Sequence, residues 1–175
     1  MGRVNKLLLD IDGIAMVRRT AQLYAAMFSS VTIVLGHEKD KVKAALQGLG
    51  VSFIYNADYK AGHHGSVRCG LEHVKNNDRP VLIALADQPF LTQAELTDYI
   101  KAYQTRSQDS AFIPFYEQQR GHPIIIPAVL LQAFHRAPED ITLRAFLDAN
   151  PDRVHRYPTP SVNFIKDIDR TEDLE

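Results

Sequence analysis

Cysteine is almost absent from the 175-residue sequence, where Cys69 stands alone. A single thiol cannot close an intramolecular disulfide, so packing and hydrogen bonds must hold the fold in a reduced setting. Net charge is nearly absent too, at −1 with the histidines neutral. That removes the general electrostatic reason to bind nucleic acid or an anionic membrane, and leaves only local basic pockets open to small anions. No apolar run is long enough to span a bilayer, and Asp10 and Asp12 break the apolar stretch near the N-terminus before it reads as a secretion signal. Long-period repeats and low-complexity tracts are missing as well. With 45% hydrophobic and 23% charged residues, these absences predict one soluble, cytoplasmic domain over 1–175 with its own core.

What is present is an alternation of strand and helix patterns. Residues 6–13 open with Leu7, Leu8 and Leu9 and close on Asp12 and Gly13, predicting a short extended segment and a bend. Over 14–28, Ile14, Val17, Ala21, Tyr24, Ala25 and Phe28 recur at helical spacing. A strand at 31–35, a helix at 38–46, a strand at 51–55 and a helix at 66–74 follow. Thr92, with Glu95 three residues on, marks the start of a helix over 93–103. The alternation predicts an α/β fold with a parallel sheet and right-handed crossovers. Beyond residue 107 the rhythm changes. Short β-like pieces at 111–113 and 124–126, set apart by Pro114, Gly121 and Pro123, predict that at least one strand joins the sheet antiparallel. Helices at 129–136 and 143–149 and a strand at 154–157 complete the pattern.

The stretch from Val81 to Ala86 is an uninterrupted apolar run that ends on Asp87, Gln88 and Pro89. Its length and flanks predict a mid-sheet strand buried on both faces. In open α/β sheets ligands bind outside the carboxyl ends of the strands, which puts Asp87 at the mouth of a candidate site.

Two motif readings compete for the chemistry. Asp10, Ile11, Asp12 and Gly13 resemble the nucleophile motif of haloacid-dehalogenase-type phosphatases, in which the first Asp attacks a phosphoryl group and the second is the acid/base. The same four residues also suit a plain polar turn. The later Ser/Thr, Lys and paired-acid motifs of that family have no counterparts here.

The second resemblance spans nearly the whole chain. The stretch from Met1 to Leu9, Gly62-His63-His64-Gly65-Ser66 with the residues up to Leu71, Leu85-Ala86-Asp87-Gln88-Pro89, Arg120-Gly121-His122-Pro123, and Asp167-Ile168-Asp169-Arg170-Thr171 with the residues up to Leu174 fall in one family's order. They resemble the molybdenum cofactor nucleotidyltransferases, in particular the cytidylyltransferase branch. The resemblance implies a Rossmann-like, mostly parallel sheet with flanking helices, of the nucleotide-diphospho-sugar transferase kind. It implies transfer of CMP, or GMP, from the triphosphate to molybdopterin with release of pyrophosphate, and a molybdoenzyme as a further partner that takes up the product. Transfer at an α-phosphate needs a hard cation, and Mg²⁺ takes one or two carboxylates while keeping water and substrate oxygens.

By this resemblance Asp87 is a metal ligand and catalytic residue, and Asp169, or its neighbour Asp167, supplies the second carboxylate. Lys6 neutralises charge on the triphosphate. Gly62, Gly65 and Ser66 form a turn at a helix N-terminus whose N–H groups and hydroxyl face the nucleotide. His63 and His64 replace the small hydroxyl residues usual there, and His122 donates to the pterin or its phosphate. Family members also carry, ahead of the Met-Gly at which this chain begins, a central strand and a glycine-containing nucleotide loop. The expectation is therefore a domain lacking its first strand and loop, with impaired transfer. A non-catalytic module that holds cofactor or a partner enzyme on the same scaffold is the alternative.

Overall fold

The computed structural model describes residues 5–75, 78–106 and 109–168. At its start, Lys6–Leu8 winds into a 3₁₀ turn rather than an extended segment, because the Asn5 side chain accepts the Leu7 N–H (3.2 Å) and caps it. Asp10–Ile11 (β1) and Ile14–Ala15 (β2) then form a small antiparallel hairpin. Asp12 and Gly13 carry φ of 54° and 83°, the positive values that a two-residue hairpin turn of this hand requires.

Helix α1 (Met16–Met27) buries Met16, Val17, Thr20, Ala21 and Tyr24, one face at three- and four-residue spacing. Strands β3 (Thr32–Leu35) and β4 (Ser52–Tyr55) pair parallel across helix α2 (Lys39–Ala45), as the alternation predicts. Helix α3 (His63–His73), strand β5 (Val81–Ile83) and helix α4 (Gln93–Gln104) follow. The second half comprises β6 (Ala111–Tyr116), β7 (Gln119–Arg120), β8 (Ile124–Ile126), α5 (Ala128–His135), α6 (Leu143–Asp148) and β9 (Val154–Pro158).

The larger sheet is mixed rather than mostly parallel. Strand β8 lies between β5 and β6, antiparallel to both, and β9 runs parallel to β6. Strand β6 passes straight through Pro114, which the sequence pattern treats as a break. Proline has no N–H to give a ladder, but its carbonyl still accepts, here from the Gly121 N–H at 2.8 Å.

Side chains alternate across this sheet with the period of two that strands impose. Ala111, Ile113, Ile124 and Ile126 enter a core with Leu130, Leu131, Phe134, Phe146 and Leu147 from α5 and α6. Phe112 and Ile125 enter the opposite core with Leu96, Tyr99 and Tyr103 of α4, Tyr24 of α1 and Phe164. Strand β5 feeds both, Val81 and Ile83 to the first and Leu82 to the second. It is nevertheless only half-buried, because it is an edge of the sheet rather than its middle: among the described residues it pairs with β8 alone. A third cluster of Val17, Ala21, Leu35, Val42 and Leu46 ties α1, α2 and β3 together, with Leu7, Leu8 and Ala86 against it.

Glu95 joins two parts of the fold. Its carboxylate completes the capping box by accepting the Thr92 N–H at 2.7 Å, and it also accepts from the Ser161 hydroxyl and from Asn163 Nδ2 at 3.0 Å. Burial opposes its ionisation, but these hydrogen bonds outweigh burial and hold its pKa below the ordinary value. Glu95→Ala is expected to lower stability by about 2 kcal/mol, the scale of hydrogen bonds to a charged group. An unchanged urea midpoint would show that this junction contributes nothing.

Candidate functional site

The chain leaving β5 carries Ala84 into the α4-side core and Ala86 into the α1–α2 cluster, which fixes the position of Asp87 just beyond. Lys6 approaches from the 3₁₀ turn, where Leu7 is packed against both Leu35 and Ile168 clusters. The Lys6 ammonium lies 2.7 Å from Asp87 Oδ2, with the carboxylate side chain 18% exposed and the lysine 34%. Two residues that are 81 positions apart in sequence thus form a partly desolvated pair at the end of a strand. The Asp87 carbonyl accepts the Ile168 N–H at 3.0 Å, and Ile168 is fully buried with Ile11 and Met16.

Gln88 has a structural task. It is 4% exposed, and its Nε2 donates to the Phe164 carbonyl at 3.2 Å. The same oxygen accepts the His122 N–H at 2.8 Å. His122 is free to do this because the strand returning along β6 bulges. The pairs Phe115–Arg120 and Phe112–Ile125 leave two more residues on the returning chain than on β6, so His122 and Pro123 step out of the ladder. Gly121 makes the approach feasible, since a Cβ there would sit 2.4 Å from the Phe164 carbonyl oxygen.

The His122 imidazole is half-buried, and its removal from water pushes its pKa down to about 4. His63 adds to the depression, Asp87 opposes it, and Arg120 contributes a smaller push downward. At neutral pH the ring is therefore uncharged, a donor at one nitrogen and an acceptor at the other. These couplings place Asp87, His122 and His63 in one electrostatic neighbourhood.

Helix α3 begins three residues earlier than the sequence pattern predicts. Gly62 is its N-cap, with φ 115° that suits glycine, and His63 and His64 open the first turn. Gly65 and Ser66 therefore lie inside the helix rather than in a turn ahead of it. The Gly65 N–H is used on the Gly62 carbonyl at 3.2 Å, and the Ser66 hydroxyl oxygen accepts Asn56 Nδ2 at 3.1 Å. Asn56 is buried and also accepts the Asp58 N–H at 3.0 Å, so Ser66 anchors the loop that leads into α3.

Asp169 lies outside the described residues. Asp167 is exposed beside the Ile168–Asp87 backbone bond. Among the described residues no group of three or more His, Cys, Asp or Glu side chains is disposed to hold a metal. Asp10 and Asp12 are occupied locally: Asp10 Oδ1 accepts the Gly13 N–H at 2.8 Å, and the exposed Asp12 pairs with Arg19 at 3.0 Å. The phosphatase motif is a hairpin turn, and the two carboxylates share no site.

Gln88, Asn56 and Glu95 are the residues whose roles the sequence did not reveal. Gln88 stands within a motif singled out for its aspartate, and Glu95 within a recognised cap. Only the fold shows their distant partners.

The site is thus an ammonium–carboxylate pair beyond a strand's carboxyl end on a mixed α/β sheet, and solved structures share this fold. The Rv0371c protein of Mycobacterium tuberculosis H37Rv superposes with a TM-score of 0.75 at 20% identity, over 96% of this chain and 85% of that one. A nucleotidyl transferase of Methanothermobacter thermautotroptrophicus gives 0.76 at 20% identity, over 97% and 82%. The chain belongs to the MobA-like NTP transferase domain family, whose sequence profile matches residues 1–154. A probable molybdenum cofactor guanylyltransferase of Natronomonas pharaonis is 26% identical over 184 residues, covering 100% of this chain and 89% of that protein.

Two measurements check this geometry. Folding favours neutral His122, because its pKa falls from 6.5 to about 4. That stability is complete above about pH 6.5 and is lost as pH drops through 4, amounting to about 3 kcal/mol. Urea unfolding of the protein and of His122→Gln between pH 7 and 4 should diverge by this amount, and parallel curves would refute it. Gly121→Ala should cost about 1–3 kcal/mol, as overpacking against fixed backbone does. An undiminished midpoint would mean that the contact with Phe164 is not tight.

Proposed function

We propose that this chain transfers a nucleotidyl group from a nucleoside triphosphate to the terminal phosphate of molybdopterin. The observation that carries the reading is the Lys6–Asp87 pair beyond β5, 2.7 Å apart and partly withdrawn from solvent. In this reaction an acceptor phosphate oxygen attacks the α-phosphorus, the bond from that phosphorus to the bridging oxygen breaks, and pyrophosphate leaves. Positioning and charge neutralisation account for most of the rate enhancement in such transfers.

Each residue has a part in that scheme. Lys6 moves from Asp87 toward the triphosphate and balances charge there. Asp87 holds a divalent cation, for which we assign Mg²⁺, with Asp169 as the second carboxylate. A set of one or two carboxylates fits this ion, because substrate oxygens and water complete its shell. Bound there, it supplies charge neutralisation at the α-phosphate. One of the structural neighbours, at 20% identity and a TM-score of 0.72, is described as a manganese complex, which supports a divalent cation in this fold. Neutral His122 donates to the acceptor, and the Gly62-led start of α3, with Gly65 and Ser66 setting its first turns, borders the nucleotide.

The donor is GTP or CTP. The name of the Natronomonas relative supports GTP, and the motif resemblance supports CTP. A cytoplasmic setting suits both substrates, and no helix among the described residues is long and apolar enough to cross a membrane.

The test is pyrophosphate release from GTP and from CTP with molybdopterin and Mg²⁺. Lys6→Ala and Asp87→Asn are each expected to lower kcat/KM by about 10²-fold or more, the scale of removing one charge-stabilising group. Full activity in Asp87→Asn would overturn the assignment. Pterin binding that ignores Asp87→Ala, with no turnover from either triphosphate, would replace the transferase by a binding module.

A further inference from the structure

A second cluster of charge lies away from Asp87. Arg120 of β7, Arg144 of α6 and Arg156 of β9 line a cavity of about 580 Å³ together with Phe115, Gln118, Gln119 and Asp148. Three guanidinium groups face a single carboxylate, an excess of two positive charges in a chain whose net charge is −1. Such a local excess is a field for anions.

Two of the arginines are held in place. Arg120 Nη2 donates to Asp148 Oδ1 at 2.8 Å, and its side chain is 25% exposed. Arg156 lies over the Phe115 ring at 4.0 Å, with Nη2 donating to Gln118 Oε1 at 3.3 Å. The stack and the bond fix the plane of its fork and leave its other N–H groups for a ligand. Arg144 is different. Its Nε is 3.9 Å from Asp148 Oδ2 and its side chain is 81% exposed, so its guanidinium is the least constrained of the three. Two oriented guanidinium groups and one that can swing inward match the planar, bidentate way in which arginine grips phosphate.

We infer that this cavity binds the phosphate dianion of a small phosphorylated molecule, with Arg120, Arg144 and Arg156 as its donors. Asp148 is the internal counter-ion that the ligand partly displaces from Arg120 and Arg144. The volume exceeds that of a bare phosphate and lies in the range of small-molecule sites. The inference stands without the transferase reading, because that reading gives no part to any of the residues that line this cavity.

The experiment is calorimetric titration of the full chain at constant ionic strength with inorganic phosphate and with ribose 5-phosphate. Arg144→Gln and Arg156→Gln, both at exposed positions, should each weaken binding by about tenfold, the loss of one charge-assisted contact. Asp148→Asn should tighten binding, since it removes the competing carboxylate, and a misfolded variant cannot mimic that gain. Tighter binding of ribose 5-phosphate than of phosphate identifies a phosphate ester as the ligand, and equal binding identifies the free ion. Affinity unchanged in both arginine variants, or unchanged or weakened in Asp148→Asn, overturns the proposal.

Discussion

One carbonyl oxygen, that of Phe164, gathers the parts of the site. It accepts the side chain of Gln88 and the main chain of His122, and Gly121 lies against it closely enough to exclude any Cβ. Gln88 comes from the end of β5, and Gly121 and His122 come from the bulge beside β6, while Phe164 itself lies in the turn after β9. These three segments are distant from one another in sequence. The Phe164 ring is buried beside Tyr99 at 5.5 Å, so the carbonyl is anchored by the aromatic core. Glu95 holds the same turn from α4 through Ser161 and Asn163. A carbonyl has two lone pairs, and using both on buried donors satisfies groups whose exposure to a dry interior would otherwise cost free energy.

The ion pair beyond β5 depends on this framework. A half-buried carboxylate and ammonium lose hydration when they meet, and their attraction recovers it only if both are held in register. Leu7 provides that register by packing both in the cluster of Ile168 and in that of Leu35. The Asp87 carbonyl accepts the Ile168 N–H, which fixes the backbone from which its carboxylate projects.

Much of the fold was legible. Helical spacing located α1, α4, α5 and α6, and the Thr92–Glu95 cap gave the start of α4. The change of rhythm after residue 107 foretold an antiparallel member, which is β8. The setting of β5 was not legible. Its apolar run encodes contact with two cores, which it makes, but a run of side chains does not encode how many backbone edges are paired. Likewise Lys6 and Asp87 could be named from the sequence, while Gln88 could not be given a role. A buried amide and a ligand-facing amide have the same composition, and only the distance to Phe164 tells them apart.

The segment 119–123 links two regions of different chemistry. Arg120 lies in register with Phe115 and lines the arginine cavity. Two residues later the bulge has shifted the chain, and His122 answers electrostatically to Asp87 and His63. Had the returning strand kept a regular ladder, Arg120 and His122 would point to the same face, because residues two apart in a strand do. The bulge takes His122 out of that register, so one short stretch carries a charged donor that lines the arginine cavity and a neutral imidazole coupled to Asp87 and His63. Its own stability comes from the Phe164 carbonyl, which takes the His122 N–H that the ladder gives up. The division of labour along this segment therefore rests on the oxygen that also fixes Gln88 and, through it, the neighbour of Asp87.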